Sequence, residues 1–169
     1  WLCVGPLVLL AAYLSLSAVL DRQAERDLEA AKLSQSIASM IDEHLHARIS
    51  ALHILAESPL VDTASRWNDL YREAQGFHQG FGSHVIFADL QMHMPFNTRV
   101  PFGSTLPPLP RPRGHAAVQT VLATGKPAVG DSFMGPIAKE PLVAIAVPVV
   151  RRGTIAFLML TIFETRQFQ

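Results

Sequence analysis

Residues 141–163 read PLVAIAVPVVRRGTIAFLMLTIF, two apolar runs joined by Arg151-Arg152-Gly153. A strand covered on one side alternates apolar with polar residues. These two are apolar at odd and even positions alike, so both of their faces must be covered. The Arg-Arg-Gly step predicts a hairpin turn between them. In the first run one face presents Val143, Ile145, Val147 and Val149, and the other presents Leu142, Ala144, Ala146 and Pro148. The second face is built largely from small side chains, which lets a helix or a ligand approach closely.

Three further strand candidates precede this hairpin: SHVIFAD from Ser83, PFNTR from Pro95 after a turn at Leu90–Met94, and KPAVGDSF from Lys126. Between the second and third lie the proline-rich loop PFGSTLPPLPRPRG and a short helix, His115–Thr124, whose Ala117, Val118, Val121 and Leu122 share a face and which Gly125 caps. Upstream, Leu33, Ile37, Ile41, Leu45, Ile49, Leu52 and Leu55 recur at steps of four or three, predicting a long amphipathic helix. Its second half reads as a core helix, and its first half, rich in Glu, Arg and Gln, as solvated or paired with another copy. Ser58-Pro59 stops it. A second helix fits Asp62 to about Gln79, with Asp62 as N-cap. The simplest assembly is α+β: an antiparallel sheet of about five strands, with the long helix on one face and the loop and short helix on the other.

The first twenty residues, WLCVGPLVLLAAYLSLSAVL, carry no charge. As a helix they would extend about 30 Å, the thickness of a bilayer's hydrocarbon core. This run exceeds the apolar stretch of a signal peptide and lacks a clear cleavage site before Asp21, so a transmembrane helix is expected at 1–20. The chain starts at Trp1 without a methionine, as a segment of a longer protein would. Fourteen basic and fourteen acidic side chains leave no net charge, which excludes the electrostatic footprint of a nucleic-acid binder. The single cysteine, Cys3, can form no intrachain disulfide.

Taken in order, VIFADLQMHMPFNTRVPFGSTLP and ATGKPAVGDSFMGPIAKEPLVAIAVPVVRRGTIAFLMLTI, following two helices, resemble the extracytoplasmic Cache domains, the PAS-like sensor modules of bacterial membrane receptors. The likeness covers about residues 30–163 and rests on Asn97, Thr98, Arg99, Phe102, Gly103, Leu106 and Pro107, on Gly125, Pro127, Asp131 and Phe133, and on Ile145–Val149. Where the family's turn is D-x-x-G, this chain has Asp89-Leu90-Gln91-Met92, without glycine. Of the family's amino-acid-binding set, only Arg99 and Asp131 have counterparts; Val100 and Pro101 stand where a tryptophan would be wanted. The resemblance implies a PAS-like sensor at 80–163, a helical stalk with a second helix at 21–79, and a linker at 164–169. It also implies a periplasm-facing position at the inner membrane and an output module such as a histidine kinase, a diguanylate cyclase or a chemotaxis domain. The ending, ETRQFQ, resembles the linker into a second repeat, which would make this the first repeat of a double-Cache receptor.

For ligand contact the expected residues are His84, Arg99, Phe102, Asp131 and Lys139, near the face covered by the loop. Arg99 with a nearby ammonium suits a carboxylate or phosphate, and Asp131 suits an amine. A homodimer through the long helix is expected, and no cofactor. Met92, His93 and Met94 offer donors for a soft metal, but strand neighbours point to opposite faces; His44 and His46 point to different sides of a helix and cannot chelate one ion, so no metal site is expected. GDSFMG lacks the G-x-S-x-G spacing of a nucleophile elbow, so the fragment does not read as an enzyme. Two rival readings stay open: a ligandless structural or dimerisation module, and a tethered hydrolase using Ser132, Asp131 and a histidine.

Overall fold

The computed structural model describes the backbone of residues 4–110, 114–135, 137 and 139–164, and the side chains of Glu29 and of those residues from 31 onward. The chain forms two compact units, Trp1–His44 and Leu45–Gln169. Helix α1, Val4–Glu57, makes up the first unit and opens the second. The expected membrane span at 1–20, the start of the stalk and linker residues 165–169 lie outside the side chains described; among the described residues no helix is long and apolar enough to cross a membrane. In the first unit Leu33, Ile37, Met40 and Ile41, which share one face of α1, are all exposed.

In the second unit α1 turns from exposed to buried: Leu52, Leu55 and Ala56 enter the core. The helix stops at Glu57, as Pro59 requires. The next helix, α2 (Trp67–Phe81), starts later than its sequence pattern suggests, because two short 3-10 turns, Pro59–Asp62 and Ala64–Arg66, intervene. The Trp67 indole N–H donates to the Val61 carbonyl at 2.9 Å and pins those turns. Asp62 is therefore not the N-cap. It pairs with Arg151, whose guanidinium also donates to the carbonyls of Ala56 and Ser58, both at 3.1 Å. Arg151 thus ties the end of β5 to the end of α1 and to the 3-10 turn that follows, where the Ser58 carbonyl also accepts from Val61 N–H at 3.2 Å.

The sheet is antiparallel and has six strands: β1 (His84–Ala88), β2 (Phe96–Asn97), β3 (Ala128–Val129), β4 (Phe133–Met134), β5 (Pro141–Arg151) and β6 (Thr154–Glu164). The order is β2-β1-β6-β5-β3, with β4 also on β5. The expected count of about five becomes six because KPAVGDSF divides in two. Between its halves Asp131 N–H leaves the ladder and donates to the His115 carbonyl at 2.7 Å. Pro148 sits inside β5 at no cost to pairing. Gly130 N–H reaches the Ala144 carbonyl on the β3 side, Pro148 has the same parity, and β3 ends at the Ala128–Ala146 pair. The missing N–H therefore faces an unpaired stretch of edge.

The β5–β6 hairpin closes through Arg152 and Gly153, with φ of 53° and 80°. A two-residue turn of this hand wants φ above zero at both central positions, which glycine and asparagine tolerate and arginine resists. Arg152→Asn should therefore stabilise the chain by about 0.5–1 kcal/mol, read as a raised urea midpoint at constant slope.

Two cores flank the sheet. On the helix side Phe87, Ile145, Val147 and Met159 meet Leu52 of α1 and Leu70 of α2. On the other side Ile86, Ala144, Ala146, Leu158, Leu160 and Ile162 meet the loop and the short helix α3 (Ala117–Thr124). This is the PAS-like α+β layout expected from the doubly apolar hairpin.

Candidate functional site

The two halves of β5 are covered differently on the outer face. Ala144 and Ala146 share a core with Ala117 and Val121 of α3 (Ala117–Thr124); Ala146 is fully buried, whereas Ala144 lines an open space. Gly130 brings the chain against the start of that helix: a Cβ there would fall 2.7 Å from the Ala117 nitrogen, so only glycine fits. At Leu142 and Ala144 the cover lifts off. Leu142, Ala144, Leu160, Ile162 and Ile86 form a floor; Met92, Met94, Leu109, Val118 and Phe133 form walls above it.

Between floor and walls is a cavity with about 80 Å³ of room for water-molecule centres. One water needs about 10–15 Å³ by that measure, so a molecule of roughly five to eight non-hydrogen atoms fits. The proline-rich loop is held over the cavity because Leu109 N–H donates to the Met92 carbonyl at 2.8 Å. Met92 itself has φ of 70° and takes the left-handed position that glycine occupies in a D-x-x-G turn. Asp89 fixes this turn by accepting from His93 N–H at 2.8 Å and by facing His93 Nδ1 at 3.0 Å.

The polar lining is sparse: Asn97, Arg99 and Gln119. Asn97 is buried, and its Oδ1 accepts from Arg99 N–H at 3.0 Å, which sets the direction of the arginine. The guanidinium then meets two carboxylates of the chain itself, Nη1 lying 3.6 Å from Glu140 and Nη2 3.8 Å from Glu164. Arg99 Nε is buried without a hydrogen-bond partner.

No protein-family model and no curated protein sequence matches this chain. Solved structures do. The ligand-binding domain of the Pseudomonas fluorescens chemoreceptor CtaA, in complex with L-isoleucine, superposes with a TM-score of 0.63 at 13% identity, over 79% of this chain and 54% of that one. That of the Campylobacter jejuni chemoreceptor Tlp3, in complex with L-valine, gives 0.61 at 14% identity, over 82% and 58%. That of the Pseudomonas aeruginosa PAO1 amino acid chemoreceptor PctC, in complex with GABA, gives 0.58 at 18% identity, over 78% and 59%. The fold is that of chemoreceptor ligand-binding domains. At these identities the likeness is one of fold, and the chain spans somewhat over half the length of each of the three.

Within this chemoreceptor-type fold the five sequence-selected residues do not converge. Arg99 lines the cavity; His84, Phe102, Asp131 and Lys139 are not among its lining residues. Phe102 packs instead toward the helix-side core, 5.6 Å from Tyr71 and 6.5 Å from Phe96 between ring centres. Asp131 is exposed and accepts from His115 N–H at 2.9 Å, joining the start of α3 to the β3–β4 bend. Lys139 is exposed in the β4–β5 turn with φ of 57°, its N–H donating to the Gly135 carbonyl at 2.8 Å. His84 stacks on His78, ring centres 4.3 Å apart.

Burial, and then the charges of Arg99 and His78, lower the His84 pKa from 6.5 to about 4, opposed by a hydrogen bond with the Thr98 backbone. The folded state thus favours the neutral ring, while the unfolded chain takes up a proton below about pH 6.5. Stability from this residue is complete above that pH and declines as pH falls toward about 4. His84→Gln should show a smaller drop in melting temperature between neutral and acidic buffer than the wild type.

Sequence reasoning passed over Asn97 as a lining residue and gave Met92 and Met94 only a metal role. Both methionines line the cavity, while His93 between them is exposed and turned to Asp89, so the three donors do not meet. Two apolar, flexible side chains within one turn were the available signal. Glu140 and Glu164 had none, since their approach to Arg99 joins three separate stretches of chain.

Proposed function

We propose that this chain is the extracytoplasmic ligand-sensing input domain of a transmembrane signalling receptor. A small molecule enters the cavity over Leu142 and Ala144, and the proline-rich loop and α3 cover it. The cavity carries this reading: it opens over the small-residue stretch of β5, in the fold of domains whose solved complexes hold L-isoleucine, L-valine or GABA. Side chains of β5 and β6 alternate between the cavity floor and the core that contains α1, with Ala144 and Leu160 on one face and Ile145 and Met159 on the other. A ligand that shifts these strands therefore alters the packing of Leu52 and Leu55, and α1 is the route toward the membrane. Residues 1–20 are the anchor, 21–79 the stalk and second helix, 80–163 the sensor sheet, and 164–169 a linker to a further region, such as a second repeat. The signal then reaches a kinase, cyclase or chemotaxis module on the other side of the inner membrane.

The test is a thermal-shift screen of the full chain in lipid nanodiscs against small metabolites, since a ligand at about a hundredfold its Kd adds about 2.7 kcal/mol to the stability of a folded state that alone binds it. Stabilisation that disappears when the cavity is filled supports a receptor; none across organic acids, amides, amines and amino acids favours a structural module.

The same reading includes a homodimer through α1. Leu33, Ile37, Met40 and Ile41 present an apolar stripe at helical spacing, exposed at 64%, 50%, 57% and 37%. Ile37→Cys in a Cys3→Ser background is expected to cross-link to a dimer under mild oxidation. A cysteine at the charged position Glu43 should cross-link far less, and equal yields from the two would remove support for the dimer.

A further inference from the structure

We infer that Asn97 selects the ligand, its side-chain amide offering an N–H donor to a carbonyl or carboxylate oxygen on a compact aliphatic molecule. This rests on the ligand-sensing reading and deepens it, by assigning the polar contact that orients a guest on the apolar floor.

Strand register turns this side chain toward the cavity. Asn97 stands opposite Ile86 in the β1–β2 ladder, and residues directly opposed in an antiparallel pair share a face. Ile86 belongs to the cavity floor, and Asn97 lines the same space. The neighbouring pair, Phe96 opposite Phe87, belongs to the helix-side core, as alternation along a strand requires.

An asparagine that is only 2% exposed carries an acceptor and two donors that must be matched or left at a cost. Its acceptor is committed. Oδ1 takes the Arg99 N–H at 3.0 Å, and the turn that places this N–H is closed again by Val100 N–H donating to the Asn97 carbonyl at 3.1 Å. Turning the amide over would set NH2 against N–H, donor against donor, so its orientation is fixed. The other end of the amide, Nδ2, is the polar group that Asn97 brings to the cavity, and it donates and cannot accept. Its complement is an oxygen acceptor. The ladders run on from Asn97 through Ile86 to Leu160, so a guest held by its oxygen at Asn97 lays its aliphatic body over those two side chains and removes apolar area from water. An aspartate at this position would hold the same turn, since a carboxylate also accepts from the N–H two residues on. The turn and the donor can therefore be separated by experiment.

The probes are isovalerate, isovaleramide and methyl isobutyl ketone, which share an isobutyl group on a carbonyl carbon and have the size the cavity holds. Each is titrated calorimetrically into the full chain in small nanodiscs, as wild type and as Asn97→Asp. Isovalerate and the ketone, which only accept, should weaken about tenfold or more in the variant; isovaleramide, which can turn its own NH2 to the new carboxylate, should weaken less. A second readout follows the donor itself. The chain has two asparagines, Asn97 and the exposed Asn68. With isotope-labelled asparagine, a bound probe should move the Asn97 side-chain NH2 proton signal downfield in the magnetic resonance spectrum and leave that of Asn68 in place. Asn68→Gln assigns the two signals, so the wild-type chain decides even if Asn97→Asp folds poorly. A probe that binds without moving the Asn97 signal, or an acceptor-only probe that binds both forms equally, overturns the inference while upholding the receptor reading. Binding by none of the three also overturns it, and the receptor reading is then decided by the wider screen and the cavity-filling variant.

Discussion

Ala144→Leu is expected to abolish ligand-induced stabilisation while leaving the chain folded. Ala144 lies on the cavity floor and lines the open space. Leucine adds three carbon atoms into about 80 Å³ of open room. Overpacking, which costs about 1–3 kcal/mol in a full core, has little to act on here, and the added apolar contact offsets part of any strain. Unliganded stability should stay within about 1 kcal/mol of the wild type. Ala146→Leu, two residues on and on the same face, is the contrast. Ala146 is fully buried and does not line the cavity, so the same added volume should cost about 1–3 kcal/mol. Paired thermal melts with and without a ligand found in the screen read both effects. A ligand response that survives intact in Ala144→Leu would show that binding takes place elsewhere.

Phe87→Ala is expected to cost about 3–5 kcal/mol. Phe87 is fully buried on the helix-side face of β1, and its ring meets Trp67, Phe96 and Phe157 at centre distances of 5.4, 5.5 and 4.9 Å. Truncation removes the ring and leaves a hole bounded by three aromatic side chains and two strands, which cannot close without moving the sheet. Domains of this size are stable by about 5–15 kcal/mol, so the variant should sit near its unfolding midpoint. Urea unfolding checks this. A loss below about 1 kcal/mol would mean that the aromatic cluster does not hold α2 to the sheet.

The central hairpin was the most legible part of the chain. Its runs are apolar on both faces, and a strand with that pattern has one stable environment, the middle of a layered fold. The second face of β5 could also be singled out as the place for a close neighbour. The sequence did not reveal that Ala146 would be fully buried while Ala144 lined a cavity. Both positions are alanine; the difference lies in which distant neighbours the fold brings over each. The position of Asp62 was misread for a related reason. A capping pattern is local, and Arg151, 89 residues later in the chain, provides a stronger partner. Arg48, a charged residue in the helical pattern, is 5% exposed, with its guanidinium over the rings of Phe81 and Phe163. Nothing in the helical spacing marks it as buried.

Periodicity and turn chemistry, which depend on neighbours a few residues apart, determined the elements: a doubly covered hairpin, an amphipathic helix ended by Pro59, and a sheet with a small-residue face. The tertiary structure alone decided the chemistry of the site. Arg99 read in isolation is an anion receptor. Folded, it lies beside Glu140 and Glu164, which two other strand ends bring to it. Charge balance is a sum over everything within a few ångströms, and those neighbours are set by strand register rather than by distance along the chain.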